Sequence, residues 1–435
     1  MPITDQVSGQ MATYPKDSIL EDWMQFARRN CENSDFQLLG TILPVCGAIM
    51  ARTIHMDFFG TKYPNIYSMI VAAPGQRKST LIKFARTLAT RLIDKSCFID
   101  SVTSEEALFD RFDPEKGGNP DQFLIEDEGN TLFTNWSETS YGKQVSKRFL
   151  SLYDCSSWNQ SFKGNKLNDE GNSKRSIPQT SANLLVGATY NVCRMNKMEV
   201  KDGMWRRFLK YPAESLAREI FFSEKIDGAE WNDLAMKFES LRNDGKTSLE
   251  YKLSGEAKEL YKTFKRSNTA KAKRIPNDLN PANDAKASVL SEEMSFLVKV
   301  AMIFERCRWA KHWKKADKGE IQADTLKLAY DHIQECNTAS DSLENIAKRS
   351  EIRDTAETIH AQIIIEQCHK QINGFIPVSK TELTNRFCKN AGRRGAMNNF
   401  KLYSEIMPDL EKRGLVARHP VKGSKKVFYL FRSEE

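Results

Sequence analysis

One stretch constrains this chain more than any other. An apolar run from Ile66 to Ala73 leads into Pro74-Gly75-Gln76-Arg77-Lys78-Ser79-Thr80. A helical period follows over Ser79–Asp94, with Leu81, Ile82, Phe84, Ala85, Leu88 and Leu92 apolar. A buried strand, a loop containing glycine and an amphipathic helix in that order open an α/β domain. Further short apolar runs at Cys97–Ile99, Phe123–Ile125 and Leu184–Ala188 alternate with polar helices or loops. That alternation predicts a parallel sheet covered on both faces.

The loop has chemistry of its own. In the template G-x-x-x-x-G-K-[S/T], backbone amides wrap phosphates, a lysine meets their charge and a hydroxyl binds magnesium. Lys78 and Ser79 occupy the last two positions, and residues Pro74, Gly75, Gln76, Arg77, Lys78, Ser79 and Thr80 form the expected cradle. Both template glycines are replaced, by Ala72 and Arg77, so only the interior Gly75 remains. The competing reading is an ordinary strand-to-helix turn with a basic N-terminus.

Phe123-Leu124-Ile125-Glu126-Asp127-Glu128 is a second candidate corner, an apolar strand that ends in acids. Asp127 is placed to orient a metal's water shell and Glu128 to act as general base, with Glu126 on the other face of the strand. A solvated acidic loop is the alternative. A third apolar strand, Leu184–Ala188, ends at Thr189, the first candidate for a side chain that senses a γ-phosphate, with Asn191 second. In Asp202-Gly203-Met204-Trp205-Arg206-Arg207-Phe208-Leu209, an arginine could stabilise transition-state charge in its own or a neighbouring subunit. Arg207 is the first choice and Arg206 the second; a solvated arginine pair is the alternative.

The chain is 435 residues long, 40% hydrophobic and 28% charged, which suits a globular protein of two or three domains rather than a disordered chain. The expected division is a helical N-terminal region over 1–60, a nucleotide-binding core over 61–250, a helical lid over 251–350 and a C-terminal domain over 354–435. A helix is expected from Asp17, and another from Asp35 to about His55. Nine unpaired, unclustered cysteines and six dispersed histidines argue against a zinc site and for reduced thiols. The longest unbroken apolar run, Ile42–Ala51, is short of the ~20 residues that span a bilayer. With no apolar signal core near the N-terminus, the expectation is no membrane and a cytoplasmic location.

The C-terminal domain reads as helix, strand (Phe375–Val378), helix, helix (Asn398–Arg413) and a basic hairpin around Val421–Ser424, the order of a winged helix. Ser379 starts its second helix with a capping-box spacing to Glu382, and Phe400, Leu402, Ile406 and Leu410 are expected on the buried side of the next. From Lys380 to Glu435 there are 13 Lys/Arg against 6 Asp/Glu, a net +7 out of +8 for the whole chain. That concentration suits phosphate contacts, and Arg393, Arg394, Lys422, Lys425 and Lys426 are the candidates. Docking to a protein is the alternative. A polar stretch between Trp158 and Pro178 reads either as a hairpin that grips DNA through Lys163 and Lys166 or as a surface loop. Lys262–Arg274 is a further basic segment without an acid.

Taken together, Tyr63-Pro64-Asn65, the lysine loop, Ser104-Glu105-Glu106-Ala107-Leu108, Ile125-Glu126-Asp127-Glu128, Leu152-Tyr153-Asp154, Gly187-Ala188-Thr189 and Gly203-x-x-x-Arg207-Phe208-Leu209 resemble a known group. These are the poorly characterised P-loop ATPases of prophages, plasmids and mobile islands, often joined to primase domains. The resemblance covers roughly residues 17–350. It implies a P-loop NTPase core related to the RecA and AAA+ class, with ATP and Mg²⁺ as cofactors, acting on single-stranded or forked DNA. It further implies a homo-oligomeric ring, a hexamer by family habit, and a primase or other replication protein as partner. The expected function is therefore an ATP-dependent DNA helicase or translocase of a mobile element. The alternatives are a nucleotide-switched DNA-binding initiator or adaptor, and a defence or signalling ATPase whose C-terminal domain binds protein.

Overall fold

A computed structural model describes residues 12–99, 104–162, 173–192, 203–213, 216–218, 220, 228–242, 248–275, 281–312, 317–367, 370–372, 375–388, 399–420 and 427–432. The chain forms two compact units, Met1–Leu343 and Glu344–Glu435.

The first unit is built on a five-stranded parallel sheet: β1 (Tyr67–Ala72), β2 (Phe98–Ile99), β3 (Asp121–Glu126), β4 (Ser181–Ala188) and β5 (Phe208–Ala213). Its order is β2-β3-β4-β1-β5. The unit is thus α/β, as the alternating runs predict. β5 escapes the periodicity argument because Lys210 and Pro212 interrupt its apolar run, yet both are buried. A proline is tolerated there because β5 is an edge strand.

Alternation along β1 sorts the helices into two layers. Ser68 donates its hydroxyl to the Gly40 carbonyl of helix Asp35–Met50 at 2.5 Å. On the opposite face, Tyr67 donates its hydroxyl to the Phe149 carbonyl of helix Ser140–Tyr153 at 2.7 Å. Gly40 is required by this packing, since a Cβ there would lie 2.4 Å from Cγ of Tyr211. The helix Asp35–Met50 ends earlier than the expected His55. Ala51 takes φ 45°, a single turn covers Ala51–Thr53, and Ile54–Asp57 becomes one arm of a hairpin with Thr61–Lys62.

Over Asp35–Thr53 the helix and its following turn are, at 19 residues and mean hydropathy 1.3, long and apolar enough to cross a membrane by length and composition. Counting only unbroken apolar residues overlooks this, because Gln37 and Thr41 interrupt the run. Here the segment is 78% buried within the unit. Helices Gly255–Lys273, Pro281–Lys311 and the start of Ala323–Gln367 complete the same hydrophobic core.

In the second unit, the end of helix Ala323–Gln367 is followed by strand Phe375–Ser379, helix Lys380–Phe387, a helical stretch Asn399–Lys412 and strands Val416–Pro420 and Val427–Arg432. The last strand pairs antiparallel with both others. Ser379 caps its helix by accepting the Glu382 N–H at 3.1 Å. Phe400 departs from the expectation: it is 71% exposed, whereas Leu402, Ile406 and Leu410 are fully buried. Two residues are about 200° of helix rotation, so Phe400 and Leu402 cannot share a face.

Candidate functional site

Parallel register brings corners far apart in sequence to one sheet edge. Val71 lies beside Ala188, Ala72 beside Ala213, and Glu126 beside Val186. Residues 73–77, 127–128 and 189–191 therefore leave the sheet together at its C-terminal edge, with the strand that leads to Thr189 between the lysine loop and the acidic corner.

Glycine makes the approach close. A Cβ at Gly187 would lie 2.5 Å from Ile82 Cδ1 of the helix after the loop and 3.2 Å from the Asp127 carbonyl oxygen. One at Gly129 would lie 2.4 Å from Val186 Cγ1. Arg86 of the loop helix adds a hydrogen bond to the Ile125 carbonyl at 3.0 Å. Lys78 and Glu128 are near enough for the carboxylate to favour the charged ammonium, although burial is the larger effect and depresses the Lys78 pKa.

The loop itself is left open toward solvent. Pro74, Gly75, Arg77, Ser79 and Thr80 are exposed, and Gln76 and Lys78 are half-buried. Gly75 has φ 82° and Arg77 φ 52°. Arg77 thus stands, in left-handed backbone, where the template has its second glycine, the residue that adopts this conformation freely. Lys78 Nζ donates to the Ala72 and Ala73 carbonyls at 2.9 and 3.0 Å.

Helix Lys78–Leu92 has no side-chain cap and no acid in its first turn. By contrast, the helices that begin after Ser18, Ser34, Ser104, Thr139, Ser254 and Ser379 each have one first-turn amide capped by that residue's oxygen. Uncapped amides with a positive dipole end suit an anion.

Several supporting residues escape sequence reading. Asn33 donates to the Gln76 carbonyl at 3.3 Å, and Glu32 pairs with Arg77 at 3.0 Å, so the turn before helix Asp35–Met50 steadies the loop. They lie more than forty positions from the loop, beyond any local pattern. Asn130 braces Thr189 twice: its Nδ2 donates to Oγ1 and its Oδ1 accepts the Thr189 N–H, both at 2.9 Å. Its sole signal is its place two residues after Glu128. Glu126 folds back to accept the Glu128 N–H at 2.9 Å. Asn191 is exposed in the turn beyond.

Arg207 is not brought to this edge. It precedes Phe208, which pairs with Tyr67 at the other end of β1, about 17 Å away at the usual rise per residue. It is 9% exposed, and it donates to Asp154 Oδ2 at 2.9 Å and to the Gly203 carbonyl at 3.1 Å. Of the two alternatives, its own or a neighbouring subunit, this register sets Arg207 away from the loop of its own chain. Arg206 lies beside it, 3.6 Å from Glu292. Lys163, Lys166, Arg393, Arg394, Lys422, Lys425 and Lys426 lie outside the described residues. The arms that flank the first two do pair, from Trp158↔Ile177 to Phe162↔Ser173.

The donor set fits a nucleoside triphosphate with a hard cation. The loop amides and Lys78 supply donors for phosphate, and the Ser79 hydroxyl and the Asp127 and Glu128 carboxylates supply oxygens. Among the described residues, no group of three or more His, Cys, Asp or Glu could hold a metal alone. Mg²⁺ suits such a sparse set, since it is usually held by one or two protein oxygens together with phosphates and water. A scan against protein-family models and a search of the curated proteins return no match to this chain.

Proposed function

We propose that this chain is an ATP- and Mg²⁺-dependent DNA motor, a helicase or translocase of the kind mobile elements carry, that works as a homo-oligomer. One observation carries the reading. The open lysine loop and the acidic corner meet at one sheet edge, with the Thr189 strand between them.

The chain's own groups divide the work. Amides 75–80 and the Lys78 ammonium, released from the Ala72 and Ala73 carbonyls, hold phosphate charge. Ser79 and Asp127 hold the cation, and Glu128 takes the proton of an attacking water. Thr189, fixed by Asn130, gives a hydroxyl at the same edge. Bound ATP supplies the phosphoanhydride bond whose cleavage drives movement. Arg207 is engaged within its own chain and lies far from its own loop. In this reading a charge-stabilising arginine comes from a neighbouring copy, and Arg206, the more exposed of the pair, is the candidate for it. Helix, strand, helix, helix and two antiparallel strands in the second unit support a winged-helix reading, and the sequence between the last two strands carries Lys422, Lys425 and Lys426 as candidates for DNA contact.

Steady-state ATP hydrolysis by the full chain, with and without single-stranded DNA, tests this. Turnover that DNA stimulates and that Lys78→Ala lowers roughly 100-fold or more is expected. Tight ATP binding with negligible turnover would point instead to a nucleotide-switched initiator or adaptor. Turnover indifferent to DNA would assign the second unit to a protein partner.

A further inference from the structure

The hairpin Ile54–Lys62 and helix Gly255–Lys273 make a surface that the motor chemistry does not use. On the helix, Ala257, Tyr261 and Asn268 are buried and Phe264 stacks on Tyr330 at 3.9 Å between ring centroids. At 100° per residue, Lys262, Lys265, Arg266, Thr269 and Lys273 fall together on one exposed flank beside the buried stripe. Together with Ala270 they line a surface groove of about 380 Å³. Among the described residues, the acid paired with this stripe is Glu259, 2.6 Å from Lys262.

The hairpin tip leans over that stripe. Phe58 packs edge-on against Tyr261 with centroids 4.9 Å apart, and the Lys265 ammonium lies 4.6 Å from the centroid of the Phe59 ring. Phe59 is 81% exposed and has φ 50°. A bulky side chain in left-handed backbone is strained, and the ring's one aromatic contact among the described residues is edge-on to Phe58, with centroids 5.1 Å apart. Folding gains little from phenylalanine at this position.

We propose that Phe59 and the basic stripe bind single-stranded nucleic acid, with an unpaired base stacked on the ring and the phosphates following Lys262, Lys265, Arg266 and Lys273. Those four cations span about 17 Å along the helix, enough to track several phosphates. The ring decides the partner. An acidic peptide would use the cations alone, and a duplex has its bases already stacked, whereas a single strand uses both elements. The site requires no nucleotide and stands apart from the motor reading.

Fluorescence anisotropy of labelled dT and rU oligomers with the full chain tests it, in a Lys78→Ala background so that hydrolysis plays no part. Phe59→Gly suits the left-handed backbone and is expected to keep or raise Tm while weakening binding roughly 5- to 150-fold, with an unchanged salt dependence. Replacing Lys262, Lys265 and Lys273 together by alanine should lower the slope of log affinity against log salt by about 2. Loss with either oligomer supports the site, and the strand that loses more is the one it takes. Wild-type affinity in Phe59→Gly, an equal loss on duplex DNA, or an unchanged salt slope in the triple variant overturns it.

Discussion

The chain treats the two ends of its central sheet in opposite ways. At the C-terminal edge it leaves polar groups toward solvent: Ser79, Thr80 and Glu128 are exposed, and the loop helix starts without a cap. At the N-terminal edge it engages them with protein. Arg207 meets Asp154, Arg52 meets Asp121 at 3.0 Å, and Asn65 donates to the Leu152, Tyr153 and Ala182 carbonyls. Lys299 is wholly buried, with Nζ 2.7 Å from the Tyr153 carbonyl and 3.4 Å from its ring centroid. Charges committed to protein partners fasten the unit together, while those left toward water are available to a ligand. An arginine near a phosphate motif in sequence can thus belong to the first class.

The sharpest way to break this contrast is to remove one charge from each edge. Arg207→Ala leaves Asp154 and part of Glu292 without a partner beside buried Tyr153, and because Asp154 still reaches water, with its side chain 39% exposed, the loss should be about 1–3 kcal/mol rather than that of a fully buried pair. Urea denaturation should register that loss, and Asp154→Ala should give back part of it in the double variant. Lys78→Ala, by comparison, should shift stability by less than about 1 kcal/mol, since its partners are two carbonyls at an open edge. If Arg207→Ala unfolds like wild type yet abolishes hydrolysis, the N-terminal edge is chemical and the contrast fails.

The same division explains what could be read beforehand. β1, β3 and β4 announce themselves because fully buried parallel strands are continuous apolar runs, and the loop helix does so through its period. β5 hides behind Lys210 and Pro212, and the hairpin at Phe59 hides because its arms are only four and two residues long. Lys78, Asp127 and Thr189 are legible in position, since Asp127 and Thr189 follow their strands directly and Lys78 opens the helix after the β1 loop, and parallel pairing then brings the three corners to one edge. Asn33, Glu32 and Asn130 are not legible, because their relation to the site exists only through tertiary packing. Several motif residues prove to be braces: Ser104 caps a helix, Glu105 pairs with Arg148, and Asn65 and Asp154 tie the N-terminal edge. Sequence motifs mark what a fold needs as well as what its chemistry needs.

A pH titration sharpens the picture of the closed edge. Burial holds the Lys299 ammonium at about 8, below the ordinary lysine value of 10.5. Between those two values the unfolded chain keeps a proton that the folded chain lacks. Stability from this group therefore rises with pH across that window, and its burial penalty is full and constant below about pH 8. The total change is about 3 kcal/mol. Cysteines and tyrosines titrate in the same range, so the quantity to measure is the stability of wild type minus that of Lys299→Met. That difference should climb from pH 8 to 10.5; a flat difference would mean that Lys299 keeps the ordinary lysine value in the folded chain, as it would if it reached solvent.

The smallest effect belongs to the open edge and concerns Arg77. Left-handed backbone costs a non-glycine residue about 1–2 kcal/mol. The ion pair with Glu32 offsets little of this, since the Arg77 side chain is 62% exposed and such pairs are worth under about 1 kcal/mol. Arg77→Gly should thus raise stability by roughly 0.5–1 kcal/mol, despite the extra freedom that glycine brings to the unfolded chain. Arg77→Ala separates the two contributions, because it loses the ion pair and keeps the strain, and it should be slightly destabilising. Hydrolysis should persist in the glycine variant, whose loop comes closer to the phosphate-binding template. A destabilised Arg77→Gly would mean that the guanidinium, held by Glu32, sets the loop's shape and that the departure from glycine is itself a structural device.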